Sequence, residues 1–260
     1  MIIRWRTNGE YNHVVQSSTV ADLRSLLERR GFGAAEPRFE PSEALRLSVG
    51  FPEIDGLLGG GISRGEILAC TGGPSSGCTT LALSALAQAT GQGEQAAYID
   101  ASDSLDPYQA EQAGVRLDHL LWVRCGVQQG AFDWRRRRSA RSAQAWKAAQ
   151  LVAGAGGFSL IVLDLIGLPP SQLRDFQSFP WFGLRQTIAE SPTAILTLSA
   201  EHVTGSVASQ SLEMERVRIG WRGSAGPALR LTGLSARARL LHQRRNRFGQ
   251  ETSCRLEAQR

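Results

Sequence analysis

Lysine is almost absent from this sequence of 260 residues, because Lys147 is the only one. Arginine therefore carries nearly all the positive charge behind a formal net charge of +5 and a pI near 9.5. This balance allows a polyanionic partner but does not locate its binding site. Any site that requires a lysine side chain is excluded unless it uses Lys147.

Cysteine and long apolar segments are also scarce. The four cysteines lack the spacing of metal ligands, and three lie in or beside apolar runs, as is typical of reduced thiols in a cytoplasm. The amino terminus has no apolar signal-peptide region, and no stretch approaches the length of a membrane span. We therefore predict a cytoplasmic protein without a membrane partner.

The most informative stretch of the chain is residues 66–81, EILACTGGPSSGCTTL. An apolar, strand-like run leads into a glycine turn and then into an alanine-rich helix, which is the setting of a phosphate-binding loop. The motif G-x-x-x-x-G-K-[ST] is met at Gly72, Gly77 and Thr79, but Cys78 stands at the lysine position. The alternative is a plain turn between a core strand and a core helix.

If the loop binds a nucleotide, its backbone amides and the helix dipole would hold the phosphates without an ammonium group. The residues predicted to form this cradle are Gly72, Gly73, Ser75, Ser76, Gly77, Cys78, Thr79 and Thr80.

Short apolar strands alternate with helices from Leu45 onward. The periodicity predicts strands at 67–71, 95–100, 121–125, 160–164 and 194–198, and helices at 79–89, 106–113, 132–155 and 172–190. This order implies an α/β fold, with a mostly parallel sheet flanked by helices. The strand-like pattern after Ser211 adds an antiparallel edge at the C-terminal end.

The amino-terminal part has a different character. Asn8-Gly9 between β-forming residues predicts a hairpin, and a short amphipathic helix bearing Leu23 follows it. We therefore expect two parts: residues 1–43, with hairpin, helix and linker, and residues 44–260, the core domain. The apolar face of the helix must dock on the core or on another chain.

Further segments, together with the loop, resemble the RecA family. Residues 98–107 (YIDASDSLDP) are similar to the segment after that family's second strand, and residues 160–164 (LIVLD) to its Walker B strand. Arg245-Asn246-Arg247 resembles the family's Lys-Asn-Lys, which reaches a neighbour's nucleotide across a filament interface. The resemblance runs from about Leu45 to Leu256 and implies a RecA-like P-loop NTPase core.

A finer resemblance is to the ImuA-like branch, the accessory proteins of bacterial damage-induced mutagenesis. It rests on residues 54–65 (IDGLLGGGISRG), residues 120–124 (LLWVR) and Gly156-Gly157-Phe158. It implies a role in the SOS response, in DNA repair and in translesion synthesis. The implied protein partners are RecA, an ImuB-like relative of Y-family polymerases and an error-prone C-family polymerase; single-stranded DNA is a further candidate.

The resemblance also assigns chemical roles. Thr79 and Asp164 match the hydroxyl and the carboxylate that hold Mg²⁺, whereas Cys78 and Ser102 replace the family's loop lysine and general-base glutamate. Loss of a positioned base costs roughly 10²–10⁴ in rate, and loss of a charged stabiliser about 3–4 kcal/mol more. We therefore predict a pseudo-ATPase in which the binding of ATP and Mg²⁺ is weakened or lost.

Some of these positions have a second interpretation. Asp164 could instead be a strand-end carboxylate that caps the following turn. Asp106 and Tyr108 lie where the family contacts adenine, and the alternatives are helix capping and packing. Asp103, next to Ser102, could take the place of the missing general base. If the strand continues through it, however, its side chain points away from the loop. Ser199 falls near the family's γ-phosphate sensor.

Three sets of residues are candidate contacts for DNA or a protein partner. Phe176 and Trp181 would either stack on bases or anchor a helix to the core. Helical arginines on all sides of a helix are commonly just solvated. If chains stack, the C-terminal pair would reach a neighbour's phosphate. The sets are Arg135, Arg136, Arg137 and Arg138; Arg174, Phe176 and Trp181; and Arg245 and Arg247.

Two other functions stay open. The chain could be an active DNA-dependent ATPase or recombinase of the RecA family that uses substitute residues. It could also be an inhibitor of cell division, because SulA is similar in fold and has lost the nucleotide loop.

Overall fold

The computed structural model describes residues 2–7, 10–14, 21, 23, 25, 46–125, 134–222, 230–243 and 250–257. Twelve strands lie within these ranges. They are β1 (Ile2–Thr7), β2 (Glu10–Val14), β3 (Arg46–Leu47), β4 (Ile62–Ser63), β5 (Ile67–Gly72), β6 (Ala96–Asp100), β7 (Leu120–Arg124), β8 (Leu160–Asp164), β9 (Ala194–Ser199), β10 (Gln210–Arg222), β11 (Arg230–Gln243) and β12 (Glu251–Glu257).

The α-helices bounded in the described part of the chain are α1 (Pro52–Leu58), α2 (Cys78–Gly91), α3 (Pro107–Gln112), α4 (Trp134–Ala155), α5 (Pro170–Gln177) and α6 (Trp181–Ile188). The prediction of one helix over residues 172–190 is wrong, because α5 ends at Gln177 and α6 begins at Trp181. Pro180, immediately before α6, has no backbone N–H and disfavours helical geometry at the residue before it, so the helix cannot continue through it.

Ten strands form one sheet in the order β12-β11-β10-β5-β9-β8-β6-β7-β1-β2. The six strands from β10 to β7 pair in parallel, and β11 and β12 add antiparallel pairs at one edge. The predicted α/β fold with its antiparallel C-terminal edge is therefore confirmed. At the opposite edge, the predicted amino-terminal hairpin is confirmed, because β1 pairs antiparallel with β2. The sequence does not predict that β1 also pairs antiparallel with β7.

The sheet buries apolar side chains on both faces. Along β5, Ile67 and Ala69 join a cluster beneath α4, α5 and α6, whereas Leu68 and Cys70 join a cluster with α1 and α2. This alternation follows from the two-residue period of a strand, and it places α2 against the face that carries Cys70.

The amino-terminal helix prediction is only partly visible. Residues 21, 23 and 25 are helical, and Leu23 is completely buried in the cluster beneath α4, α5 and α6, so this side chain docks on the chain's own core. Most of residues 15–45 lie outside the described ranges, and the division at residue 43 stays a prediction. No helix within those ranges has both the length and the apolar character needed to cross a bilayer.

Candidate functional site

The loop between β5 and α2 has the backbone form of an anion cradle. Gly73, Pro74 and Ser75 are exposed, and the chain turns through left-handed conformations at Ser75 (φ 59°) and Gly77 (φ 98°) before the helix begins. Gly77 is the N-cap residue and supplies no side-chain hydrogen bond to the first turn. The first amides of α2 therefore have no side-chain cap, and amides of this kind bind anions.

Close packing at the start of the loop requires a glycine. A Cβ atom on Gly72 would lie 2.7 Å from the backbone oxygen of Met214 and 2.8 Å from Cys78 Sγ. Any side chain there would push the loop away from β10, which pairs with this end of β5.

Cys78, at the lysine position, places a thiol beneath the loop. The residue is 1% exposed; its Sγ lies 3.5 Å from Cys70 Sγ and 3.2 Å from Ser76 Oγ. The hydrogen bond from Cys70, and a weaker one from Ser76, lower the pKa of Cys78. The same contact with Cys78, together with burial, raises the pKa of Cys70 well above its usual value. The side chain of Cys78 therefore packs into the core and supplies no positive charge.

Asp164, the Walker B match, has both carboxylate oxygens engaged inside the protein. Tyr98 Oη donates to Oδ2 at 2.5 Å, and the backbone N–H of Ile166 donates to Oδ1 at 2.9 Å. Asp164 is 1% exposed, and burial raises its pKa to about 6 although both hydrogen bonds act in the opposite direction. Burial and the charge of Asp164 in turn raise the pKa of Tyr98 well above its usual value.

Asp100 holds the loop after β6, a role that sequence reasoning missed. It is completely buried, and its carboxylate accepts hydrogen bonds from the backbone N–H groups of Ser104 (3.0 Å) and Leu105 (2.9 Å) and from Trp122 Nε1 (3.2 Å). Asp100 also pairs in register with Asp164 on β8. The available signal was the repeated pattern of an apolar strand ending in aspartate, at both 100 and 164.

The residues that follow Asp100 do not present a carboxylate to the phosphate loop. Ser102 Oγ lies 3.0 Å from Ser104 Oγ. Asp103 adopts a left-handed conformation (φ 63°) and forms a two-pronged ion pair with Arg124 on β7, with Oδ2 2.6 Å from Nη2. This contact holds the Asp103 side chain on β7.

The predicted adenine contacts have different environments. Asp106 caps α3, because its Oδ1 accepts the N–H of Tyr108 at 2.9 Å. Tyr108 is 68% exposed, so the packing alternative is wrong for it and its ring is available to a ligand. Ser199, near the expected γ-phosphate sensor, is buried and donates its hydroxyl to the backbone oxygen of Glu201 at 2.6 Å.

The other candidate contacts are not gathered at this site. Phe176 is completely buried and Trp181 is 3% exposed, with its indole N–H 2.7 Å from the Phe176 oxygen. The burial of both rings favours the alternative in which they anchor a helix to the core, and Arg174 is the only exposed residue of this set.

The remaining predicted site residues are placed only in part. Thr79 and Thr80 are exposed at the start of α2. Residues 135–138 belong to α4, and only their backbone is described by the structure. Arg245 and Arg247 lie outside the described residues. Among the described residues, no group of three or more His, Cys, Asp or Glu side chains could hold a metal ion.

Part of this chain is similar in sequence to known proteins. Residues 41–136 match the RecA N-terminal domain. The RecA protein of Synechococcus elongatus is 41% identical over 100 residues, which cover 37% of this chain and 28% of that protein. RecA of Lactiplantibacillus pentosus is 50% identical over 76 residues, covering 29% and 20%. The aligned part is thus less than a third of the length of these relatives.

The fold has a counterpart among solved structures. The crystal structure of the RadB recombinase superposes with a TM-score of 0.54 and 19% sequence identity, covering 80% of this chain and 94% of the other. At this identity the likeness shows the fold alone. The chain therefore has a fold like that of RadB, and its residues 41–136 are similar in sequence to the RecA N-terminal domain.

Proposed function

We propose that this protein is an ImuA-like accessory factor of the DNA damage response, which acts in translesion synthesis through contacts with other macromolecules and does not hydrolyse ATP. The observation that carries the proposal is Cys78: where a P-loop NTPase has a lysine, this chain has a thiol packed against Cys70 and Ser76 beneath the loop.

The backbone of the site fits a phosphate, but its side chains do not fit the chemistry of hydrolysis. The left-handed turn and the uncapped start of α2 would hold ATP phosphates, with Thr79 and Thr80 exposed beside them. Bound Mg²⁺ would supply charge neutralisation on the phosphates. Asp164, which would hold that ion, instead accepts hydrogen bonds from Tyr98 and from the Ile166 amide.

A base for activating water is also missing from the expected position. Ser102 has no carboxylate, and the ion pair with Arg124 holds Asp103 on β7. A general base must lie within hydrogen-bond reach of the proton that it removes. Neither residue offers such a group at the phosphate loop, so any bound nucleotide would persist unhydrolysed.

Nucleotide binding and turnover test the first half of the proposal. A fluorescent ATP analogue is titrated, with and without Mg²⁺, into the wild type, Cys78→Lys and the neutral control Cys78→Ser. We expect at least about a tenfold gain in affinity for Cys78→Lys alone, because an ammonium group contributes about 1.4 kcal/mol or more to phosphate binding. Steady-state hydrolysis with single-stranded DNA is expected to be undetectable for the wild type.

One result would instead support an active DNA-dependent ATPase. That function is favoured by the retained strand, loop and helix, and it predicts multiple turnovers by the wild type that single-stranded DNA stimulates. Such turnover would end the pseudo-ATPase proposal.

The accessory role itself is tested with purified partners. RecA filaments on single-stranded DNA, the ImuB-like protein and the error-prone C-family polymerase are each mixed with this chain and analysed by sedimentation or size exclusion. We expect a complex with RecA filaments and with the ImuB-like protein. Absence of association with all three would refute an ImuA-like role, whatever the ATPase assay shows.

A further inference from the structure

A cavity of about 480 Å³ lies between the start of α6 and the segment that follows β9, and none of its lining residues belongs to the phosphate loop. We call it the aromatic pocket. One wall comes from the α5–α6 junction and the other from the 3₁₀ turn Gly205–Val207 with the residues before it. The residues that carry its character are Phe179, Trp181, Phe182, His202, Val203 and Thr204.

The aromatic wall is already fixed in place. Phe179 stacks on Trp146 with 5.0 Å between ring centroids, and Trp181 meets the same ring edge-on at 5.0 Å. The Trp181 indole N–H donates to the backbone oxygen of Phe176, so this ring brings no unpaired hydrogen-bond donor to the pocket. A ligand entering a preformed apolar wall loses little affinity to reorganisation.

Thr204 gives the pocket an unused polar group. It is 1% exposed, and its Oγ1 has no hydrogen-bond partner within the part of the chain that the structure describes. A buried hydroxyl without a hydrogen-bond partner destabilises the folded chain. A bound group with a donor or acceptor would recover this hydrogen bond, so Thr204 selects for a polar edge on an otherwise apolar ligand.

The charges around the pocket disfavour nucleic acid. None of its lining residues is Lys, Arg, Asp or Glu, and His202 is the only titratable one. The adjoining residue, the exposed Glu201, is acidic, and residues 201–210 contain no Lys or Arg. Arg174, one helical turn from Gln177, is the neighbouring cation on α5. A site for single-stranded nucleic acid needs a cationic groove along the phosphates, whereas a peptide does not.

We propose that the aromatic pocket is a docking site for a protein partner that inserts a tyrosine or tryptophan side chain, with the polar edge of the ring bound to Thr204. Phe182, 64% exposed at the rim, would be covered by the incoming segment. Aromatic anchors in preformed pockets commonly dominate protein interfaces. This inference rests on the proposed function, because it identifies how a protein-contacting accessory factor would hold its partner.

The test uses probes that separate the ring from its polar edge. p-Cresol carries the tyrosine ring and hydroxyl, and toluene carries the ring alone; both are titrated into the full chain and followed by NMR. We expect p-cresol to bind with a dissociation constant of order 1–10 mM. Thr204→Val should weaken p-cresol binding roughly tenfold and leave toluene unchanged, and Thr204→Ser should retain p-cresol binding.

Phe182→Ala provides a second variant at an exposed position, with Tyr108→Ala as the matched exposed control. We expect several-fold weaker p-cresol binding for the first and no change for the second. Absence of p-cresol binding, or binding that neither Thr204→Val nor Phe182→Ala weakens, would overturn the proposal. So would a dT20 oligonucleotide that binds in a salt-dependent way, loses affinity in both variants and is displaced by p-cresol.

The two proposals can fail separately. ATP turnover by the wild type would refute the pseudo-ATPase and leave the p-cresol result standing. A pocket that takes no ring would leave the nucleotide experiments unaffected.

Discussion

Asp164 makes the stability of this protein depend on pH in an unusual direction. Its pKa is about 6 in the folded chain, because burial disfavours the charged form, and near 3.8 in an ordinary setting. Between pH 4 and pH 6 the folded state therefore binds more protons than the unfolded state, so stability falls as pH rises. The rise of the pKa from 3.8 to about 6 corresponds to about 3 kcal/mol in full, of which about 2.4 kcal/mol is lost between pH 4 and pH 7.

The assay compares the wild type with Asp164→Asn by urea unfolding at several pH values and constant ionic strength. The amide stays uncharged and can still bind Tyr98 and the Ile166 N–H. We expect the stability of the variant relative to the wild type to rise by about 2.4 kcal/mol from pH 4 to pH 7. Asp106→Asn, which removes an exposed carboxylate but keeps a capping side chain, is the control.

A difference between wild type and Asp164→Asn that stays constant across this range would show that the carboxylate is not desolvated as described. Cys78→Lys provides an internal check, because an ammonium group beneath the loop would lower the pKa of Asp164. In that background the pH dependence should become smaller. An unchanged dependence would mean that position 78 and Asp164 do not interact.

Two further predictions concern stability, each with a matched control. Gly72→Ala should lower the free energy of unfolding by about 1–3 kcal/mol, because the new Cβ meets backbone at 2.7 Å, whereas Gly73→Ala has open space and should cost less than about 1 kcal/mol. Equal effects in urea unfolding would contradict the close approach. Tyr98→Phe should cost about 1–3 kcal/mol, because Asp164 loses a hydrogen-bond donor, and Tyr108→Phe under about 0.5 kcal/mol. A silent Tyr98→Phe in the same assay would refute the buried contact.

The fold could be predicted where local pattern determines it. Apolar strands and helices alternate in the sequence, so the parallel core and the phosphate loop follow from period and glycine placement. The position of β1 in the sheet could not be predicted, because its partner β7 lies more than a hundred residues away and no local pattern indicates the pairing. Pro180 indicates a break between two helices, but the apolar periodicity on either side of it favours one continuous helix.

The residues of the candidate site could be predicted from the sequence, but the contacts between them could not. The sequence shows that position 78 is a cysteine where the motif has a lysine. The packing of Cys78 against Cys70, however, depends on how α2 packs on β5. The hydrogen bond between Tyr98 and Asp164 requires the register of two neighbouring strands. Phe176 and Trp181 are aromatic residues of the kind that stack on bases in a DNA-binding loop. Only their burial in the structure assigns them to the core.

The pairing of β1 with β7 has a consequence for synthesis on the ribosome. Ile2 is made before its partner Arg124, which emerges only after the intervening strands and helices. At 5–20 residues per second the amino-terminal strand waits roughly 6–25 s for that partner. During this interval the hairpin is a nascent edge without a neighbour, open to any chaperone or chain that accepts a strand.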